Sequence, residues 1–256
     1  ANQNSVVILE YAATMLELNG LEKSFAGHKA VQGLSFNISK GEVVGFLGQN
    51  GAGKSTTMRM VSGVLEPDAG DAEIVGASIT TQRREAQAAL GYLPEGAPLY
   101  RDMTPLKFLC FLADAHGLTR VERKTAVERV IADARIAEVA GKPIGTLSKG
   151  YRRRVGLAGA ILHDPPVLLL DEPTDGLDPI QKRAVRALIT RMAEEKAIMI
   201  STHTLEEVPA MCSRVIIIDR GRVVADDTPE ALSGGTEDGL GAAFMDLAGN
   251  GNGGAA

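Results

Sequence analysis

Apolar and polar side chains alternate along residues 15–39. The stretches MLELNGL and LSFNIS follow a period of two, which predicts half-buried strands. EVVGFL is a continuous apolar run instead, as expected of a strand covered on both faces. It leads into a glycine-rich turn and then into KSTTMRMVSGVL, whose apolar positions recur at helical spacing. From about Arg83 to Ala160 the pattern is mainly helical, through RREAQAAL, TPLKFLCFLADAHG and RVERKTAVERVIADARIAEVA. Strand-like and helix-like runs then alternate: PVLLLDE, IQKRAVRALITRMAEE, AIMIST, LEEVPAMC and RVIIID, with Gly221 closing a hairpin in DRGRVV. This order predicts an α/β fold, a parallel-sheet core carrying a helical lobe. No internal repeat is visible.

Composition narrows the function classes. At 256 residues, 45% hydrophobic and 23% charged, the chain suits one large domain or two joined lobes. Its net charge of -5 argues against a protein that coats nucleic acid, so no nucleic-acid partner is expected. Cys110 and Cys212 have neither metal-site nor redox spacing and read as buried thiols in a reducing compartment. The longest apolar runs, Val167–Leu170 and Val215–Ile218, have the length of core strands and fall far short of a membrane span. The chain is therefore expected to be soluble, with any membrane association passing through a partner. Residues 1–14 read as a leader or flexible extension before a natural start at Met15, or as carrying an extra edge strand at Val6–Leu9; they lack the basic segment of a signal peptide. The main domain is expected over 15–235, and 236–256 reads as a flexible tail.

Two segments carry phosphate chemistry. GQNGAGKST, from Gly48 to Thr56, fits G-x-x-x-x-G-K-[ST] and lies between a buried strand and a helix. Gly48, Gly51 and Gly53 allow backbone N–H groups to turn inward around phosphate oxygens, with Gln49, Asn50 and Ala52 completing the loop. Lys54 is expected to reach the β- and γ-phosphates, and Ser55 to place its hydroxyl on Mg²⁺. The N-terminus of the following helix adds partial positive charge beneath the phosphates. In VLLLDEPT, four apolar residues deliver Asp171 and Glu172 to the C-terminal end of a strand, where α/β folds bind ligands. Asp171 is positioned to hold Mg²⁺, and Glu172 to orient and deprotonate an attacking water. In MISTH, His203 ends another apolar strand and is a candidate sensor of a γ-phosphate. His28, His116 and His163 read as surface residues.

TLSKGYRRRVGLAG, residues 146–159, raises a different question. Ser148 looks like a helix cap, yet Gly150 is a poor residue for a first helical turn. Arg152, Arg153 and Arg154 read as a solvated helix face, or else as contacts with another subunit.

Taken in order, Gly48–Thr56, LSKG at 147–150, VLLLDEPT at 167–174, GLD at 176–178 and His203 resemble the motifs of ABC-type ATPases, over about Met15 to Asp227. The resemblance implies a phosphate-loop NTPase core with an antiparallel β subdomain and a helical subdomain inserted at about 83–160. It implies ATP and Mg²⁺ as cofactors and two ATPase subunits facing head to tail. Each ATP would then lie between one subunit's phosphate loop and Ser148, Lys149 and Gly150 of the other. Asp178 corresponds to the aspartate that communicates between the two ATP sites. Phe25 matches the aromatic that stacks on adenine, a core phenylalanine being the plain alternative. Glu95 stands where most members carry Gln, and it could ligate Mg²⁺ but not donate an amide hydrogen bond. Lys149 and Tyr151 depart from the usual Gly and Gln of the signature segment. GYLPE resembles an exporter-type branch whose integral membrane permease subunits are separate chains. The implied function is thus the ATP-hydrolysing subunit of a transporter, cytoplasmic and peripheral on the inner face of the cell membrane. The alternative is a soluble ATPase of the same type acting on ribosomes or DNA. YRDMTPLKFLCFLADAHG is apolar on much of its circumference and is a candidate wall of the groove for a membrane subunit's loop, or else core packing.

Overall fold

Alternation in the first strands becomes a four-stranded antiparallel sheet. In this computed structural model, which describes residues 14–234, 236 and 239–249, β1 (Thr14–Phe25) pairs with β2 (His28–Ser39). Further along, β3 (Val43–Leu47) enters the phosphate loop and α1 (Lys54–Val61) leaves it. β4 (Ala69–Ile74) and β5 (Ala77–Ser78) then complete the first sheet, in the order β2-β1-β4-β5. The leader and the extra strand considered for the N-terminus lie outside the described residues.

A second sheet has six strands. Helix α2 (Arg83–Ala88) precedes β6 (Leu90–Leu93), and α3 (Pro105–Ala115), α4 (Arg120–Asp133) and α5 (Lys149–Ala160) follow. The chain re-enters the sheet as β7 (Val167–Asp171), crosses through α6 (Pro179–Ala193) to β8 (Ala197–Ser201), and ends in the hairpin β9 (Arg214–Asp219) and β10 (Arg222–Asp227). The strand order is β10-β9-β3-β8-β7-β6, with every pair parallel except the final hairpin. Parallel pairing brings the C-terminal ends of β3, β7 and β8 to one edge, where ligands bind in such sheets.

Continuous apolar runs resolve into two alternating sets. In β7, Val167 and Leu169 point into the core shared with α1 and the antiparallel sheet; Leu168 and Leu170 point into the core shared with α3, α4 and α5. β3 divides in the same way, with Val44 and Phe46 on one side and Val43 and Leu47 on the other. Both faces are therefore covered, as the unbroken run predicts. Each fully buried large side chain contributes roughly 1.5–3 kcal/mol.

Several boundaries differ from the pattern. The stretch 83–160 is not wholly helical, because β6 returns to the sheet within it; the helical lobe is α3–α5, inserted between β6 and β7. LEEVPAMC forms only a 3₁₀ turn over Leu205–Glu207, and Pro209 cannot continue a helix. The domain closes with α7 (Pro229–Ser233), and within the expected flexible tail stands α8 (Gly239–Gly249), which packs against β9 and buries Leu240. Glycine-rich composition masked the apolar side chains Leu240 and Phe244 that dock it on the core.

Candidate active site

The phosphate loop is shaped by close backbone approaches. Gly53 has φ +110, and a Cβ there would lie 2.6 Å from the Ala30 carbonyl oxygen of β2. At Gly48 a Cβ would lie 2.6 Å from the Ile218 carbonyl oxygen of β9. Those two glycines therefore let neighbouring strands press against the loop, whereas at Gly51 only the positive φ of +84 calls for glycine. Gly53 caps α1 without a side-chain hydrogen bond, so the helix N-terminus keeps its free N–H groups for an anion. Lys54 Nζ donates to the carbonyls of Gly48 at 2.6 Å and Gln49 at 3.1 Å. Burial lowers the Lys54 pKa, and Glu172, Asp171 and Glu95 oppose that shift.

At the end of β7, Asp171 sits beside Ser201 of β8 in register. Burial pushes the Asp171 carboxyl above its ordinary range; the Ser201 hydroxyl pulls it back, while the Glu95 carboxylate adds to the rise. Glu172 has φ +52, a costly backbone conformation for a non-glycine residue, of the order of ~1–3 kcal/mol. Hydrogen bonds surround it. Its N–H donates to the Ser201 carbonyl at 2.8 Å, and its own carbonyl accepts from Arg153 Nε at 2.9 Å and from Asp175 N–H at 3.1 Å. Its carboxylate lies 2.7 Å from His203 Nδ1 and accepts from Thr202 Oγ1 at 3.4 Å.

These parts line one cavity of about 610 Å³. It unites Asn50, Gly51, Gly53, Lys54, Ser55 and Thr56 with Glu95, Asp171, Glu172 and His203. His28, Ala30, Asp175 and Ser201 also line it, and sequence reasoning missed them. Ser201 had a signal, since it lies two residues before His203 in the same apolar run; Asp175 and His28 had none. Gly48, Gln49 and Ala52 belong to the loop but do not line the cavity, Gly48 and Ala52 being buried and Gln49 exposed. Phe25, at the end of β1, is 47% exposed and hence no core residue, but it does not line the cavity.

Ser148, Lys149, Gly150 and Asp178 also stand apart from this cavity. Ser148 caps α5 by accepting from Tyr151 N–H at 3.3 Å, and Asp178 caps α6 by accepting from Gln181 N–H at 2.8 Å. Gly150 is explained by close packing in its own chain. A Cβ there would lie 2.9 Å from Gln181 Oε1 and 3.1 Å from the Gly176 carbonyl oxygen. Lys149 Nζ reaches Asp175 Oδ2 at 2.7 Å.

The arginines are not a solvated face. Arg153 and Arg154 are buried, and Arg152 is half-buried. Arg154 Nη1 donates to the Arg135 carbonyl at 2.7 Å, with its guanidinium 4.3 Å from the Tyr151 ring centroid. Their charge is stabilised by carbonyls and an aromatic ring, neither of which residue type alone reveals. His116 is exposed, as expected, but its ring stacks at 3.8 Å on that of His163, which is half-buried with Nε2 3.2 Å from the Leu90 carbonyl oxygen.

A parallel sheet with a glycine loop after β3 and acids after β7 places the protein among phosphate-loop nucleoside triphosphatases. Comparison with known proteins narrows the class. The family model for ABC transporter matches residues 31–175. Nod factor export ATP-binding protein I of Paraburkholderia xenovorans is 37% identical over 218 residues, covering 85% of this chain and 72% of that one. An uncharacterised ABC transporter ATP-binding protein of Bacillus subtilis is 40% identical over 214 residues, covering 82% of this chain and 69% of its own. A solved ATP-binding subunit of an ABC transporter superposes with a TM-score of 0.84 at 28% identity, over 91% of this chain and 99% of that one. The chain belongs to the ABC transporter family as an ATP-binding subunit, and its reaction is the hydrolysis of ATP.

Proposed function

We propose that two copies of this chain close head to tail on two ATP molecules and drive export through separate membrane-spanning subunits, from the cytoplasmic face of the membrane. One observation carries the dimer: a single chain's cavity gathers the phosphate loop, acids and histidine but leaves out Ser148, Lys149, Gly150 and Asp178. A second copy facing the cavity would supply them. Export is supported by the name of the Nod factor export relative. Among the described residues no helix is long and apolar enough to cross a membrane, which supports a separate permease. A groove of about 230 Å³ beside β6, α3 and α5, with the exposed Phe111 of α3 and the groove-lining Phe108 both packed on Tyr100, offers that partner an apolar seat.

The chain's own residues divide the reaction. Backbone N–H groups of the loop and of the α1 N-terminus bind phosphate oxygens, and Lys54 exchanges its carbonyl partners for them. Phe25 is exposed on the hairpin that carries His28 and offers a face for adenine. Glu172 takes the proton of the attacking water. His203 orients that carboxylate through Nδ1, which leaves Nε2 as its ring nitrogen for a γ-phosphate.

Mg²⁺ fits the donor set. Ser55, Asp171 and Glu95 present hard oxygen donors to one cavity, and the buried Asp171 carboxylate favours a cation beside it. No group of three His, Cys, Asp or Glu able to hold a metal occurs among the described residues, so nucleotide and water must supply the remaining ligands. When bound, Mg²⁺ neutralises charge on the β- and γ-phosphate oxygens.

The test is Glu172→Gln examined with and without ATP by light scattering and phosphate release. The expected variant binds ATP, hydrolyses it very slowly and accumulates as a dimer. Persistence as a monomer at saturating ATP would overturn the closure reading, and normal turnover would remove Glu172 as the base.

A further inference from the structure

Arg153 is a charged side chain only 5% exposed in the middle of α5, and nothing in the hydrolytic chemistry above uses it. Its guanidinium spans two segments far apart in sequence. Nε donates to the Glu172 carbonyl at 2.9 Å, and Nη1 donates to the Pro94 carbonyl at 2.8 Å. Nη2 is buried without a partner. Asp171, Asp175, Glu172 and Glu95 lie close enough to favour its positive charge against the cost of burial.

The two carbonyls belong to different functional regions. Glu172 carries the carboxylate held by His203, in a left-handed backbone conformation. Pro94 precedes Glu95, which lines the nucleotide cavity, and itself lines the apolar groove beside α3 and α5. One planar, rigid fork therefore ties the groove wall, the signature helix and the backbone of Glu172 together. A shift of Pro94 or of α5 has no slack to absorb it before reaching Glu172.

We infer that Arg153 is a positioning residue for ATP hydrolysis, coupling the Pro94 side of the groove to the Glu172 backbone through its two carbonyl hydrogen bonds. Glu172 keeps the Ser201 and Asp175 backbone bonds when Arg153 is changed, so its left-handed turn survives while its placement relative to α5 loosens. The inference rests on Glu172 acting as the base. Glu172→Gln tests that base by itself, whereas the exchange measurement below does not depend on it.

The experiment compares the full chain with Arg153→Met and Arg153→Lys. Lysine keeps the charge but offers one compact donor group in place of the fork. Both variants should bind ATP with a KM within about threefold of the parent, while kcat falls by about 10- to 100-fold, as expected for a misplaced catalytic group. Hydrogen exchange adds a readout that plain destabilisation would not mimic. In the parent, a non-hydrolysable ATP analogue should slow exchange in both 48–56 and 94–99; in the variants only 48–56 should respond. Parental kcat in Arg153→Lys would show that charge alone suffices and overturn the two-carbonyl role. Retention of the 94–99 response in both variants would overturn it too. If both variants lose ATP binding or their fold together with kcat, Arg153 is a residue of the fold and the proposal fails.

Discussion

His203 Nδ1 lies 2.7 Å from Glu172 Oε1, joining the residues that follow two adjacent parallel strands. The imidazole is largely exposed to the cavity, while the carboxylate is mostly covered. In the proposed mechanism, His203 acts on the water through the orientation of Glu172. His203→Ala should retain ATP binding while kcat falls by ~10²–10⁴-fold, the usual range for a lost acid–base partner. Fluorescent nucleotide titration and phosphate release measure the two separately, and equal losses in both would contradict the assignment.

Lys149 and Asp175 form a second pair, at 2.7 Å and largely in solvent. The lysine stem crosses Gly176, where a Cβ would lie 2.7 Å from Lys149 Cδ. Exposed ion pairs contribute about 0–1 kcal/mol, so Lys149→Met should leave the melting temperature within a few degrees of the parent. Turnover should fall, because the same lysine is proposed to meet the opposite subunit's nucleotide. Unchanged turnover at saturating ATP would return the pair to an ordinary surface contact.

Acidification should act through His163. Burial, with the neighbouring His116 and Lys196 adding to it, lowers its pKa from 6.5 to about 4, against an opposing pull from the Leu90 carbonyl and Asp164. The unfolded imidazole therefore binds a proton first as pH falls. Stability is fully present above about pH 6.5 and is lost progressively down to about pH 4. At pH 5 the loss amounts to up to ~2 kcal/mol. His163→Gln can still donate to Leu90 and should melt with a smaller difference between pH 7.5 and pH 5 than the parent. An identical difference in both proteins would exclude His163 as the source.

Gly53→Ala should damage the phosphate loop directly. The added methyl group meets the Ala30 carbonyl oxygen at 2.6 Å in a backbone region that alanine avoids. The expected cost is about 1–3 kcal/mol of stability, with ATP binding weakened by more than ~10-fold if the loop shifts. Thermal unfolding and nucleotide titration check both. Parental affinity would show that β2 can move away without disturbing the loop.

The sequence by itself determined the elements whose cause is local. Alternation in MLELNGL and LSFNIS, the unbroken runs of β3 and β7, and the spacing of Gly48–Thr56 with Asp171 and Glu172 depend on side-chain period and turn geometry over a few residues. Tertiary structure decided what depends on partners distant in the chain. Composition made Arg153 and Arg154 look like solvated charge, yet carbonyls 19 to 59 residues away bury them. Gly150 looked wasteful within one helix, and Gln181 and Gly176 give the reason for it. His163 became half-buried because His116 stacks on it, and 239–249 became a docked helix because Leu240 and Phe244 find the core. Burial and hydrogen-bond satisfaction are properties of the assembled surface, so a residue's own type and immediate neighbours carry little trace of them.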